Sequence, residues 1–160
     1  MKIEIWSDIM CPFCYIGKRQ LETALEQFPD NEFEIEWKSF QLDPSFIASP
    51  EDNMVEHLAE KYGSTKEQSD ANRNHITAIG AELGFEFRFT DDMRMHNTFN
   101  VHQLLHWADQ QGRKQDLKQA FFAAHFTHRR NLSDDEVLAD VAAEIGLARD
   151  EALAVLHDQR

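Results

Sequence analysis

The chain has 160 residues, of which 42% are apolar, with 12 Phe and 3 Trp. That is enough for one domain with an insertion and a sizeable core, and it excludes a disordered chain. An excess of 29 Asp and Glu over 16 Lys and Arg leaves a net charge of −13, which opposes binding to nucleic-acid phosphates or to an anionic membrane. No apolar run approaches the ~18 residues of a membrane span. The opening "MKIEIWSD" has neither the basic nor the apolar region of a secretory leader, so the expected setting is cytoplasmic.

Taken in chain order, residues 2–8 alternate, with Ile3 and Ile5 on one face against Lys2 and Glu4 on the other, and predict a strand. From Pro12 to Phe28, Leu21, Ala24, Leu25 and Phe28 recur at helical spacing. After the turn "FPDNE", residues 33–40 alternate again, Phe33, Ile35 and Trp37 opposing Glu34, Glu36 and Lys38. Strand, helix and strand within about 40 residues make a βαβ unit, whose strands are expected to be parallel.

Beyond "QLDPSFIASP" the pattern is almost entirely helical, with helices expected at 52–62, 65–83, 96–111, 114–128, 134–145 and 149–158. Gly63, Gly84, Gly112 and Gly146 each follow one of the helical stretches, and "STKE" (64–67) and "SDDE" (133–136) suggest capping boxes. "FEFRF" (85–89) is a short extended piece. The seam is expected at Asp43–Pro50, dividing residues 1–44, a βαβ unit, from residues 45–160, a helical block.

The only two cysteines stand three apart in "DIMCPFCYIGK". On this layout Cys11 opens the first helix, Pro12 takes the position where its missing N–H costs nothing, and Cys14 lies one turn further on the same face. That spacing is within reach of a disulfide. Unpaired N–H groups and the positive end of the helix dipole favour a thiolate on Cys11. Cys11 is therefore the expected attacking sulfur and Cys14 the resolving one. A zinc site would need a second pair of ligands, which only histidines could supply. Two inert core thiols are the plain alternative.

These residues carry a resemblance. "DIMCPFCYIGKRQLETAL", "WKSFQLDP" (37–44), "MHNTFNVHQLLHWA" (95–108), "QAFFAAHFT" (119–127) and "LSDDEVLADVAAEIGL" (132–147) together resemble the DsbA-like thioredoxin family in its FrnE-type branch. The resemblance implies an α/β fold, thioredoxin-like with a helical insertion, and thiol–disulfide oxidoreductase or isomerase chemistry at Cys11 and Cys14. It also implies two further strands, a last helix and a cis-proline loop facing the active-site sulfur. The chain ends at Arg160, and none of Pro12, Pro29, Pro44 and Pro50 fits that loop. The C-terminal return is therefore expected to be absent from this chain, with the sheet either truncated or completed by a partner chain. A related branch, the glutathione-dependent isomerases of 2-hydroxychromene-2-carboxylate-like substrates, generally lacks the second cysteine.

Around the pair, Phe13 is uncharged where the family often places a histidine, which implies a less oxidising couple. Asp8, three residues before Cys11, is a candidate proton acceptor for Cys14 and more simply a turn cap. Tyr15 and Trp6 are expected to pack under the helix start. His102 with His106, and His125 with His128, have helical spacing, but "HQLLH" lacks the glutamate of a metallohydrolase helix, so no metal is expected. The aromatic and leucine cluster of Leu104, Leu105, Trp107, Phe121, Phe122 and Phe126 is expected to form the core of the helical block. The expected function is thiol–disulfide exchange on thiol or disulfide proteins. No cofactor is expected beyond the redox-active pair, with glutathione as a candidate co-substrate, and homo-oligomerisation stays open. The alternatives are a glutathione-dependent isomerase or transferase of the same fold, and a non-catalytic binding module.

Overall fold

The computed structural model describes residues 1–47 and 53–158. Among these, β1 (Lys2–Ser7), α1 (Pro12–Leu25) and β2 (Glu34–Ser39) form the expected βαβ unit. The two strands pair in parallel, Ile3 beside Ile35 and Ile5 beside Trp37. The alternation also accounts for a correction. Trp6 falls on the face of Lys2 and Glu4 and is 61% exposed, so it does not pack under the helix.

α1 ends at Leu25, three residues before the predicted end. Pro29 biases Phe28 away from helical backbone, and the chain leaves the helix through tight bonds from the Gln27 and Phe28 N–H groups to the Ala24 and Leu25 carbonyls. Phe28 is consequently exposed, and α1 buries its first turns, at Tyr15, Ile16 and Lys18, rather than its last.

The remaining elements are helices: α2 (Met54–Tyr62), α3 (Lys66–Glu82), α4 (Phe99–Asp109), α5 (Lys114–Phe126), α6 (Asp135–Glu144) and α7 (Arg149–Asp158). Residues 48–50 of the expected seam, and residue 52 of the first predicted helix of the block, lie outside the described residues. Asn53 caps α2 through its side-chain oxygen. Both predicted helix starts are displaced by one residue, and only the first of the two predicted capping boxes forms. The box of α3 is formed by Thr65 and Gln68, and α6 is capped by Asp134, whose carboxylate accepts from the Glu136 N–H. In each case the neighbouring polar residue wins the cap because it alone stands immediately before the first helical residue.

α4 begins at Phe99 instead of 96. Asn97 is drawn out of the helix: it donates to the Phe46 carbonyl (2.7 Å) and accepts from the Phe99 N–H (2.9 Å) and from Gln41 (3.2 Å). α5 stops at Phe126, after which the Thr127 hydroxyl bonds the Glu86 carbonyl and Arg129 takes a left-handed backbone (φ 52°).

The core is continuous from the βαβ unit into the helices. Ile9, Tyr15 and Ile16 pack in one cluster with Val101, Leu104, Phe121, Phe122 and Leu138. The extended piece 85–89 threads through it, Phe85 and Phe87 inward and Glu86 and Arg88 outward. Tyr15 stacks on Phe85 with centroids 4.0 Å apart and meets Phe87 and Phe122 edge-on. Gly80 lets the extended piece approach α3: a Cβ there would lie 2.3 Å from the Phe87 ring and 2.8 Å from the Phe85 carbonyl oxygen.

His125 is 1% exposed, and neither of its ring nitrogens has a hydrogen-bond partner among the described residues. Burial pushes its pKa down to about 3, and that of the neighbouring His96 down to about 4. Both are neutral when folded and protonate when unfolded.

Two outcomes follow from this packing. Gly80→Ala is expected to lose about 1–3 kcal/mol in urea unfolding, although alanine is the better helix former, because the Phe85 backbone must shift. For the histidines, the unfolded chain binds the extra protons below pH ~6.5, so stability falls as pH falls from there. By pH ~5 each histidine is expected to have removed about 2 kcal/mol. Unfolding measured across that range is expected to show a shallower acid slope in His125→Phe than in the wild type.

Candidate functional site

The turn between β1 and α1 builds the site. Cys11 is the N-cap residue of α1, in extended backbone, and Pro12 opens the helix. The Cys14 N–H closes the first turn on the Cys11 carbonyl at 3.1 Å. Both cysteines are half-buried free thiols. Phe13, between them, is 53% exposed.

The two thiols share a hydrogen bond, and this dominates their acidity. Cys14 is lowered to about 6, chiefly because the Cys11 thiol donates to it, with help from the Asp8 backbone N–H and the Ser7 hydroxyl. Cys11 is raised, chiefly by donating that bond and then by burial, although the N–H groups of Cys14 and Phe13 pull it the other way. The pair as a unit therefore gives up one proton easily and holds the second. The proton that leaves first belongs to the pair rather than to either sulfur, and the helix-end N–H groups at Cys11 and the donors around Cys14 both favour its loss.

Asp8 is 2% exposed and anchors the turn. One carboxylate oxygen accepts from the Ile9 N–H at 2.8 Å and lies 3.1 Å from His102 Nε2, and the other accepts from the Leu42 N–H at 2.9 Å. The capping role expected of Asp8 is present, widened to three segments of chain. Burial works against its charge, but the bonds from His102 and Leu42 prevail and keep its pKa below the usual carboxylate value. His102, expected only to pack, is the partner that the sequence did not reveal. Its helical neighbour His106 is exposed, and His125 and His128 are likewise split between core and surface, so neither pair presents one ligand face.

Beside the pair lies a cavity of about 460 Å³ between the start of α1, the 42–46 segment, α2, α3 and residues 95–98. Cys11, Pro12 and Phe13 line it and Cys14 does not. Its opposite walls are apolar at Phe46, Met54 and Ile76, with His57, Lys61 and Arg73 at the edges. Lys61 is held by Asp43 at 3.0 Å, and Arg73 by Asp91 at 2.9 Å as well as by Asp70. Such a volume, mostly apolar with a few convergent charges, suits a small ligand or an extended peptide segment. Lines of sequence 30–90 residues apart meet here, so these wall residues carried no local signal.

With that geometry in hand, comparison with known proteins is direct. A family model described as DSBA-like thioredoxin domain matches residues 2–160. The chain belongs to that family. Among solved structures, it is similar to a probable DsbA oxidoreductase of Streptomyces coelicolor, at 38% identity and a TM-score of 0.89 over 98% of this chain and 68% of that one. At 15% identity the cytosolic disulfide reductase DsbM of Pseudomonas aeruginosa, solved with GSH, has a TM-score of 0.61, covering 98% of this chain and 72% of its own. A 2-hydroxychromene-2-carboxylate isomerase, also at 15%, has a TM-score of 0.65 over 98% and 71%. These two share the fold. Among curated sequences, the uncharacterized protein YwbO of Bacillus subtilis is 28% identical over 145 residues. The match takes in 91% of this chain and spans 66% of that relative's length. Among the described residues no helix is long and apolar enough to cross a membrane.

The Asp8 carboxylate is the part of this site most exposed to a stability test. In Asp8→Ala three donors lose their acceptor in a closed interior, and the expected loss is about 3 kcal/mol or more in urea unfolding at neutral pH. In Asp8→Asn an amide group must face one of those donors, so a smaller loss is expected.

Proposed function

We propose that this chain exchanges thiols and disulfides through Cys11 and Cys14. The observation that carries this reading is the division of labour in the pair: the two thiols together give up one proton easily and hold the other between them, and of the two only Cys11 lines the cavity. The Cys11 thiolate attacks a substrate disulfide, forming a mixed disulfide and releasing one substrate thiolate. Cys14 then attacks Cys11 Sγ, the Cys11–Cys14 bond forms, and the second substrate sulfur leaves with its electron pair. The shared proton makes the two thiolates interconvertible, so the charge of the pair can be supplied to Cys11 by moving one proton across their hydrogen bond. Run backwards, the same steps oxidise a dithiol.

Thiol and disulfide proteins are the proposed substrates, in a cytoplasmic setting. Glutathione is a candidate co-substrate because the cavity is lined by Cys11 and by the cations Lys61 and Arg73, and a fold relative was solved with that tripeptide. Pro12 and Asp8 hold the turn, Tyr15 supports it from the core, and Phe13 presents an apolar surface to substrate.

Titration of the full-length protein in glutathione buffers, with thiols trapped and counted by mass, is expected to give a single two-electron transition that vanishes in Cys11→Ser and in Cys14→Ser. Two thiols that never pair would overturn the reading. A protein that needs glutathione for isomerase turnover and keeps that turnover in Cys14→Ser would instead be an isomerase of the same fold.

A further inference from the structure

Lys118 lies on α5, far from the cysteines in sequence, and is only 3% exposed. Burying an ammonium is costly unless other groups replace its water. The carboxylate that acts on it, Asp8, is engaged elsewhere, with His102 and two backbone N–H groups. What Lys118 has is the face of Trp37, whose ring centroid lies 4.0 Å from Nζ, an electrostatically favourable seat for a cation. One turn further along α5, Phe122 packs edge-on against Tyr15, the residue that follows Cys14. Residues four apart share a helix face, so one face of α5 reaches Tyr15 through Phe122 and Trp37 through Lys118, and Trp37 pairs with Ile5 on the strand that leads into the cysteine turn. The anions facing it are the Cys14 thiolate and the Asp8 carboxylate, and the cations are Lys114 on α5 and Lys18 on α1.

The chemistry of resolution shows why such a cation matters. In the free pair, the Cys14 thiolate is held mainly by the hydrogen bond from the Cys11 thiol. Once Cys11 is in a mixed disulfide its sulfur has no proton to donate, so Cys14 loses its main support at the step in which it must attack. The Asp8 N–H and Ser7 hydroxyl remain, opposed by the Asp8 carboxylate and by burial. Of the cations on that side, Lys18 is paired with Glu22 and Lys114 with Asp109, and Lys118 is the buried one seated on Trp37.

We propose that Lys118 is a positioning residue for disulfide exchange, the buried counter-charge that keeps Cys14 ionised while Cys11 is bonded to substrate. The inference rests on the exchange reading above. In the step concerned, the Cys14 proton has already gone to solvent and Lys118 stays protonated. The Cys14 thiolate bonds Cys11 Sγ, the bond from Cys11 to the substrate sulfur breaks, and that sulfur leaves with the electron pair. Burial draws the Lys118 pKa down to about 8 and the Cys14 charge opposes the drop, so the support fades as the amine loses its proton in mildly alkaline solution.

The test is single-turnover reaction of the reduced full-length protein with 5,5′-dithiobis(2-nitrobenzoate) across pH, which releases one thionitrobenzoate on attack by Cys11 and a second on resolution by Cys14. In Lys118→Met the second release is expected to be about tenfold slower at pH ~7, with its pH midpoint moved up by about one unit. The first release is expected to stay within about twofold, and Lys118→Arg is expected to retain most of the second. A folded Lys118→Met with an unchanged second release and an unmoved midpoint would overturn the proposal. Should Lys118→Met not fold, equal second releases in Lys118→Arg and Lys118→Gln would overturn it as well. Failure of the exchange reading is separately visible, as a wild-type protein that gives one release and no internal disulfide.

Discussion

The carboxylate of Asp8 is the fixed point of this molecule. It sits in a nearly closed interior, where an ionised group persists only if its hydrogen-bonding capacity is filled. The residues that fill it come from three places: the turn before α1, the segment after β2 and the middle of α4. Each of those segments lines or supports the cysteine pair. The charge that costs most to bury therefore determines how the βαβ unit and the helices meet, and the apolar cluster around Tyr15 and Phe122 closes over the arrangement.

The pair inherits its properties from that junction. Cys11 and Cys14 take their spacing from the helix, but their acidity comes from each other and from the groups behind them. The helix end at Cys11, the interaction between the two thiols and the Asp8 N–H all favour the loss of one proton from the pair. A carboxylate so near a thiolate is a cost to ionisation, which is why the identity of the remaining neighbours matters. A buried lysine seated on Trp37 is one of those neighbours.

Much of the fold was legible because its signals are local. Period-two alternation at residues 2–8 and 33–40 gave both strands, and glycines after helical stretches gave the helix ends at Gly63 and Gly146. The C-P-F-C turn placed the cysteines correctly at a helix start. Errors of one to three residues arose where polar side chains compete for the same backbone, as at Thr65, Asp134 and Asn97. Trp6 stands outside because the alternation of β1 puts it on the face of Lys2 and Glu4. His102 could not be paired with Asp8 from sequence, because 94 positions separate them and no periodicity encodes a hydrogen bond across a fold. Lys118 was hidden for a different reason: on an amphipathic helix a lysine looks like solvent-facing charge, and only the position of Trp37 makes it an interior one.

The cavity and the cysteines draw on different stretches of chain. The reacting sulfurs, their cap and their carboxylate come from residues 7–14, whereas the far walls come from α2 and α3. Insertions or replacements in those two helices can remodel the ligand-facing surface while leaving the thiol pair untouched. What the cavity admits and how the sulfurs are held are thus separable properties of one chain.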